Sequence, residues 1–322
     1  MDSGWFERRT HQWFDWRPEL LADLKHRSGT TISLVIPARD EEATVGEVVS
    51  RVRTELVERI PLVDELVVMD SDSTDTTATR ARQAGATVHH VADVRPDLGH
   101  HHGKGEAMWK SLFVTSGEVM SFLDADLVEW DTHFVSGLLG PLLTDPGIAL
   151  VKAFYDRVLD RSDAPSTLEG GRVTELVARP TLALRWPELS GVVQPLSGEW
   201  AIRRELFEEL SVPTGYGVEL AVLVDTFLRR GVDAVAQVGM GRRAHHHQSL
   251  HGLGTMAAEL LAVADRRVGL GPKDDTVQLR QYGAEGMPMT STLALTERMP
   301  ATKVGPAPSH TQTHEQEAVG RC

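Results

Sequence analysis

Thr31-Ile32-Ser33-Leu34-Val35-Ile36-Pro37 is a short apolar run that ends at a proline, and it is the first indication of the fold. This pattern predicts a buried strand and the point where the chain leaves it. A helix is predicted next, from about residue 42 to 58, with apolar side chains at helical spacing at Val45, Val48, Val49 and Val52. The body of the chain therefore begins with a strand followed by a helix.

The same alternation continues along the rest of the chain. Further strands are predicted at 65–70, 86–89, 119–123, 148–154 and 232–238, with helices at 74–85, at 105–115, from 172 onward, and at 217–229. Strands that alternate with helices predict an α/β fold with a parallel sheet and right-handed crossovers. Ligands are then expected at the edge where the strands end.

The composition excludes several classes of protein. With 33 basic and 46 acidic residues the net charge is −13, which argues against nucleic acid or an anionic membrane as the main partner. The single cysteine, Cys322, excludes a disulfide framework and a cysteine-based zinc site. We find no run of about 18 apolar residues that could span a bilayer and no apolar signal core, so a soluble cytoplasmic protein is expected.

Polar clusters follow three of the predicted strands. They are Pro37-Ala38-Arg39-Asp40-Glu41-Glu42, Asp70-Ser71-Asp72-Ser73-Thr74-Asp75 and Asp124-Ala125-Asp126. Each cluster alone is also typical of a turn or a helix cap. An Asp-x-Asp directly after an apolar strand is suited to Mg²⁺ or Mn²⁺, since hard oxygen ligands and substrate phosphates complete the shell of such ions.

These clusters resemble the nucleotide-sugar glycosyltransferases of the GT-A fold. There the first strand runs into Pro-Ala-x-Asn-Glu-Glu, the second into Asp-x-Gly-Ser-Thr-Asp, and the Asp-x-Asp holds the metal and the nucleotide diphosphate. In this chain Asp40 replaces the amide and Asp72 replaces the glycine. Because Asp tolerates a positive φ better than most residues, the second turn is expected to keep its shape.

Five further motifs are more specific. In chain order they are Gly103–Trp109, Gly170–Pro180, Gln194–Glu199, Gly215–Glu219 and Arg243–His245. Together they resemble the glucosyl-3-phosphoglycerate synthases, a family of retaining transferases, over about residues 31–262. The resemblance implies that glucose moves from a nucleotide diphosphate sugar, usually UDP-glucose, to the 2-hydroxyl of 3-phosphoglycerate. It also implies Mg²⁺ (or Mn²⁺) as cofactor, a homodimer, and a place in the glucosylglycerate and methylglucose polysaccharide pathway.

The resemblance assigns roles to particular residues. It places the donor at Pro37, Ala38, Glu41, Ser71, Lys104, Asp124, Ala125, Asp126, Tyr216, Glu219 and Arg243. It places the acceptor at Gly171, Arg172, Val173 and Thr174, and the metal at Asp126 and His245. Lys104, Glu219 and Asp126 are the expected catalytic residues.

Physical chemistry supports two of these assignments. Gly103-Lys104-Gly105 puts an ammonium group where the backbone can approach a diphosphate closely. The stretch from Gly171 to Thr174 offers backbone N–H groups, a guanidinium and a hydroxyl at a predicted helix start, which favours an anion. Their alternatives are an ordinary loop before a helix and a helix start with an exposed arginine.

The order of the motifs and the resemblance also imply a domain organisation. We expect an aromatic N-terminal arm over 1–30 that packs against the body or a partner, and a GT-A domain over 31–270. Its nucleotide-sugar half spans 31–127 and its mixed α/β acceptor half spans 128–270. Residues 271–322 are expected to be a disordered tail, because helical and strand periodicity disappears there.

The sequence alone leaves other functions open. A related transferase could use mannose or a different acceptor such as a polyprenyl phosphate, and a non-catalytic protein could merely bind a nucleotide sugar. The run His100-His101-His102 could bind a transition metal, but Pro96, Gly99 and Gly103 favour a solvated loop near the donor.

Overall fold

The computed structural model of the protein describes residues 3–158, 171–244, 249–272 and 274–307. Its helices are α1 Ser3–Arg9, α2 Pro18–Ser28, α3 Val45–Val52, α4 Thr77–Ala84, α5 Lys104–Ser111, α6 His133–Thr144, α7 Arg179–Arg185, α8 Arg204–Glu209, α9 Val218–Arg230 and α10 Leu250–Arg267. Its strands are β1 Thr10–Gln12, β2 Ile32–Ala38, β3 Glu65–Asp70, β4 Thr87–His90, β5 Val119–Phe122, β6 Leu150–Val158, β7 Trp200–Arg203, β8 Val212–Pro213, β9 Val235–Ala244, β10 Thr276–Tyr282, β11 Pro288–Ala294 and β12 Glu297–Arg298. π-Helical turns extend α3 over Arg53–Arg59 and precede α7 over Thr174–Ala178.

Eight strands form one central sheet in the order β1-β9-β6-β7-β5-β2-β3-β4. The predicted strands of the first half pair in parallel, β2 with β3 and β5, and β3 with β4. The prediction of parallel pairing needs one correction, since β7 runs antiparallel to both of its neighbours, β5 and β6. The connection from β6 to β7 includes α7 and returns the chain to the sheet beside β6 in the opposite direction, and antiparallel neighbours need no right-handed crossover.

The reversed strand decides what lies at the functional edge. Phe122, the last residue of β5, pairs with Trp200, the first residue of β7. Residues that precede β7 therefore share an edge of the sheet with residues that follow β5 and β2. This brings Ser197, Gly198 and Glu199 beside the Asp-x-Asp triplet.

Helices cover both faces of the sheet. On one face α3 and α6 bury Val48 and Phe134, and on the other α5 and α9 bury Trp109 and Leu220, all at most 1% exposed. Because both faces are covered, the central strands are continuous apolar runs, as the stretch 31–37 predicts. No helix in the described part of the chain combines the length and apolarity that crossing a membrane requires.

Both ends of the chain depart from the predicted boundaries. The N-terminal arm joins the main sheet, since β1 pairs with β9, and Trp5 packs against the body with Nε1 donating to the carbonyl oxygen of Val232 at 2.9 Å. The prediction of disorder is wrong for 274–307, where β10 and β11 form a hairpin and β12 pairs with β8. The hairpin is mostly exposed, so its residues show little apolar periodicity, and cross-strand hydrogen bonds hold its two strands together. Residues 308–322 lie outside the described part.

Candidate functional site

The loops after β2 and β3 interlock through side chains that accept from backbone N–H groups. Asp40 Oδ1 accepts from the N–H of Thr74 at 2.7 Å, and the N–H of Asp40 donates to Ser73 Oγ at 3.0 Å. Glu42 repeats the pattern, because its N–H donates to Asp75 Oδ2 at 3.1 Å. Most of the acidic residues in these two strand-end loops, 39–42 and 71–76, therefore hold the loops themselves together.

Two of these aspartates have left-handed backbones. Asp40 has φ +55° and Asp72 has φ +60°. The prediction that Asp72 keeps the turn of the glycine it replaces is confirmed by this angle, since Asp is among the residues that accept it at small cost. The N–H of Ser71 donates to the carbonyl oxygen of Ala38 at 2.9 Å, so the two loops begin side by side.

Three carboxylates face one another at the ends of β2 and β5. Burial raises the pKa of Glu41 above its usual value, and the charges of Asp126 and Asp124 raise it further. Asp126 is exposed, while Ala125 between the two aspartates is buried at 4% exposure. Carboxylates that repel one another at an open edge fit a divalent cation, which would relieve the repulsion. The residues present thus suit Mg²⁺ or Mn²⁺.

Lys104 lies between two carboxylates. Its Nζ is 2.6 Å from Asp124 Oδ1 and 3.0 Å from Glu219 Oε1. Burial disfavours the ammonium, but Asp124 and Glu219 outweigh it and raise the pKa of Lys104 above its usual value. Glu219 stands in the first turn of α9, where the helix dipole favours a negative charge. The predicted catalytic pair Lys104 and Glu219 is therefore in direct contact.

Glycines allow the surrounding segments to approach Lys104. Gly103 has φ +134°, and a side chain there or at Gly105 would collide with the backbone of Pro213 or Thr214. A Cβ on Gly198 would lie 2.7 Å from Lys104 Nζ and against the carboxylate of Asp124. Segments of three motifs thus meet at Lys104, and a side chain at any of these three glycines would collide with a neighbouring segment.

Behind Lys104 lie two ionisable side chains, Lys152 and Glu199, for which the sequence predicted no role. We call Lys104, Asp124, Lys152, Glu199 and Glu219 the buried charge cluster. Glu199 is 0% exposed and accepts from the hydroxyls of Tyr155 at 3.0 Å and Ser197 at 3.1 Å. Lys152 is 1% exposed and donates to the carbonyl oxygen of Ser197 at 2.7 Å.

Lys152 is a strongly perturbed member of the cluster. Burial lowers its pKa to about 7, with Lys104 lowering it further and the carboxylates of Glu219 and Glu199 opposing the shift. A signal was available in the sequence, since a lysine in the apolar run 148–154 places a charge in a buried strand. Its partners come from the segment directly before β7 and from α9, and the sequence alone did not place β7.

The predicted acceptor residues begin a helix, as expected. Gly171 has φ +91°, and its carbonyl oxygen accepts from the N–H of Glu175 at 2.9 Å. Val173 and Thr174 are buried, whereas Arg172 is exposed. The π-helical turn Thr174–Ala178, which continues this segment, contacts α10.

The remaining predicted residues are placed as follows. Pro37 and Ala38 end β2, and Tyr216 is 50% exposed with its N–H donating to Glu259 Oε2 at 2.9 Å. Arg243 belongs to β9, while His245 lies outside the described residues. The structure therefore brings together Glu41, Asp124, Asp126, Lys104 and Glu219, and it leaves the contacts of Arg243 and His245 undescribed.

Known proteins match the chain over most of its length. Residues 33–211 match the model of glycosyl transferase family 2. The glucosyl-3-phosphoglycerate synthase of Mycolicibacterium smegmatis is 45% identical over 305 residues, covering 92% of this chain and 99% of that protein. The enzyme of the same name from Petrotoga mobilis is 45% identical over 248 residues, covering 77% and 76%.

Solved structures agree with this result. The glucosyl-3-phosphoglycerate synthase of Mycobacterium tuberculosis in complex with Mn²⁺, UDP-glucose and phosphoglyceric acid has a TM-score of 0.79 and 44% identity, covering 89% of this chain and 95% of that chain. The same enzyme with Mg²⁺ and UDP gives a TM-score of 0.81 and 42% identity, covering 91% and 98%. The predicted GT-A type α/β fold is confirmed by these similarities.

Proposed function

The chain belongs to glycosyl transferase family 2, and on that premise we propose that it transfers glucose from UDP-glucose to the 2-hydroxyl of 3-phosphoglycerate. The observation that carries the proposal is the contact of Lys104 with Asp124 and Glu219 at the sheet edge where Glu41 and Asp126 also converge. The ammonium of Lys104, beside carboxylates that suit a metal ion, can stabilise the negative charge of a departing diphosphate.

Donor binding uses the edge formed by β2, β3 and β5. Pro37, Ala38 and Ser71 offer backbone and hydroxyl groups to the nucleoside, and Arg243 lies on the strand that approaches the phosphates. We assign Asp126 and His245 as the metal ligands. A bound Mg²⁺ or Mn²⁺ would withdraw charge from the diphosphate as it leaves. Lys104 shares that task, since its pKa keeps it protonated throughout the physiological range.

Acceptor binding uses the turn from Gly171 to Thr174. The exposed guanidinium of Arg172 and the N–H groups of the first helical turn suit the phosphate or carboxylate of 3-phosphoglycerate. This focused positive site explains how a chain with a net charge of −13 binds an anion.

Glu219 is assigned to orienting the sugar hydroxyls or the acceptor. We favour transfer with retention on one face of the sugar, in which a diphosphate oxygen takes the proton of the acceptor hydroxyl as the new bond forms. Glu219 is already held by Lys104, so a positioning role fits it better than that of a nucleophile.

The test is release of UDP from UDP-glucose with and without 3-phosphoglycerate, first with Mg²⁺ and then with a chelator. We expect release that requires both acceptor and metal, and a glucosylated product with the anomeric configuration of the donor. Arg172→Ala is expected to raise the KM for 3-phosphoglycerate while leaving that for UDP-glucose unchanged. Release dependent on another phosphorylated acid would overturn the acceptor but not the family.

Two further expectations accompany the proposal. We propose that the protein is a cytoplasmic homodimer, and sedimentation of the full chain would measure the mass. An Asp126→Ala protein with full activity would contradict the assigned metal site.

A further inference from the structure

Two histidines of the loop between β4 and α5 converge on one aspartate of the neighbouring loop. His100 Nε2 is 2.7 Å from Asp72 Oδ2, and His102 Nδ1 is 3.0 Å from the same oxygen. One ligand atom from each of the three side chains lies within 4.8 Å of the others. The middle histidine, His101, is not part of the group.

Hydrogen bonds from β12 and α5 hold the loop that carries the histidines. Arg298 of β12 donates to the carbonyl oxygen of Leu98 at 2.7 Å, and Lys110 donates to that of Gly99 at 2.9 Å. Arg298 in turn forms two hydrogen bonds, of 2.7 and 2.6 Å, with Glu106, which is 0% exposed. A buried ion pair thus fixes the backbone just before His100, which pre-arranges its ring.

Asp72 carries its carboxylate at a position where the backbone favours glycine. Its φ of +60° is left-handed, and a glycine there would adopt the turn without strain. The chain instead places an acidic side chain there, within reach of both imidazoles. The loop geometry alone does not need that carboxylate, because Asp40 and Glu42 already tie the strand-end loops together.

The chemistry of these ligands selects a class of ion. One carboxylate oxygen with two imidazole nitrogens suits Zn²⁺ and neighbouring first-row cations, whereas Mg²⁺ prefers oxygen alone. Zn²⁺ lies about 2.0–2.2 Å from such atoms, so ligand atoms around it stand slightly further apart than the hydrogen bonds seen here. The 70% exposed side chain of His102 can move outward by that amount and leaves room for water ligands.

We propose that Asp72, His100 and His102 form a second metal site, for a Zn²⁺-class cation, separate from the carboxylates that face the diphosphate. The site joins the loop that begins at Ser71 to the loop that ends at Lys104. An ion there would therefore link two segments of the donor site. Metal binding itself does not rest on the proposed transfer reaction.

The test counts bound Co²⁺, a spectroscopic substitute for Zn²⁺, by equilibrium dialysis of the full chain with excess Mg²⁺. The variants are the double substitution His100→Ala/His102→Ala and, as matched control, His26→Ala, which removes an exposed histidine of α2. We expect wild type and control to bind one Co²⁺ per chain more than the double variant. The visible absorption of nitrogen-ligated Co²⁺ should fall in the double variant alone.

The same comparison in a protein that also carries Asp126→Ala distinguishes this site from the metal site proposed at the diphosphate. In Asp126→Ala protein the difference of one Co²⁺ between intact and substituted histidines should persist. Equal Co²⁺ counts in wild type and double variant, with matching melting temperatures, would overturn the proposal. A difference that disappears in the Asp126→Ala background would also overturn it, because the histidines would then serve the diphosphate metal.

Discussion

The strand-end loops and the buried charge cluster are both rich in acidic residues, yet they use them in opposite ways. In the loops Asp40 is 43% exposed and accepts from the backbone of a neighbouring loop. In the cluster Glu219 is 8% exposed and pairs with the ammonium of Lys104 at 3.0 Å. An exposed carboxylate shapes a turn and is well solvated, whereas a buried one requires a positive partner.

The two regions therefore depend on charge to different degrees. In the loops the acceptor atom and the backbone angle decide stability, so a neutral amide should serve. In the buried charge cluster two lysines lie among three carboxylates, so removal of a lysine leaves carboxylates without a compensating charge. Substitutions in the cluster are therefore expected to have larger effects than substitutions in the loops.

The largest effect is expected for Lys104→Met. It leaves Asp124 and Glu219 facing each other and removes a cation from the departing diphosphate. We expect kcat/KM for UDP-glucose to fall by roughly 100- to 1000-fold, as when one preorganised group at developing charge is lost. Steady-state UDP release measures it, with Lys303→Met, an exposed lysine, as the unaffected control. A lower melting temperature with unchanged kcat/KM would instead make the pair purely structural.

The difference between the two regions also explains what the sequence could predict. The strand-end loops follow directly from their own strands, so Asp40, Asp72 and Asp124 could be placed at one edge from local pattern. Lys152 and Glu199 could not, because their proximity depends on β7 entering between β5 and β6 in the reverse direction. The ordered hairpin of β10 and β11 was also missed, since its cross-strand pairing leaves little apolar periodicity.

A smaller effect is expected for Glu219→Gln. The amide keeps the shape but weakens a charge-assisted bond to Lys104, worth about 1.5–3 kcal/mol. Because Lys104 is then held less firmly in its position at the diphosphate, we expect kcat to fall by roughly 10- to 100-fold. Glu208→Gln, which breaks a partly exposed pair with Arg204, is the matched control and should leave kcat unchanged. Equal activity of the two variants would remove Glu219 from the catalytic assignment.

Lys152→Met tests the cluster through pH. The pKa of Lys152 falls from 10.5 to about 7 on folding, so the unfolded chain binds more protons between these values. The free energy of unfolding therefore gains a contribution that rises with pH from about 7 to 10.5, by at most ~1.4 kcal/mol per pH unit. Denaturant titrations at several pH values should show this slope in wild type and Lys303→Met, and not in Lys152→Met. A difference between wild type and variant that does not change with pH would mean that Lys152 stays charged.

The smallest effect is expected in the strand-end loops, for Asp40→Asn. Asn accepts the φ of +55° and keeps an oxygen for the N–H of Thr74, so the free energy of unfolding should stay within about 0.5 kcal/mol of wild type. Asp40→Ala loses the acceptor and strains the left-handed backbone, and should cost about 1–2 kcal/mol. Comparing the free energies of unfolding of the two variants in denaturant separates the effect of the charge at position 40 from the effects of the hydrogen-bond acceptor and the backbone angle. If Asn proved as damaging as Ala, the loop would depend on its charge as the buried charge cluster does, and the contrast between the two regions would fail.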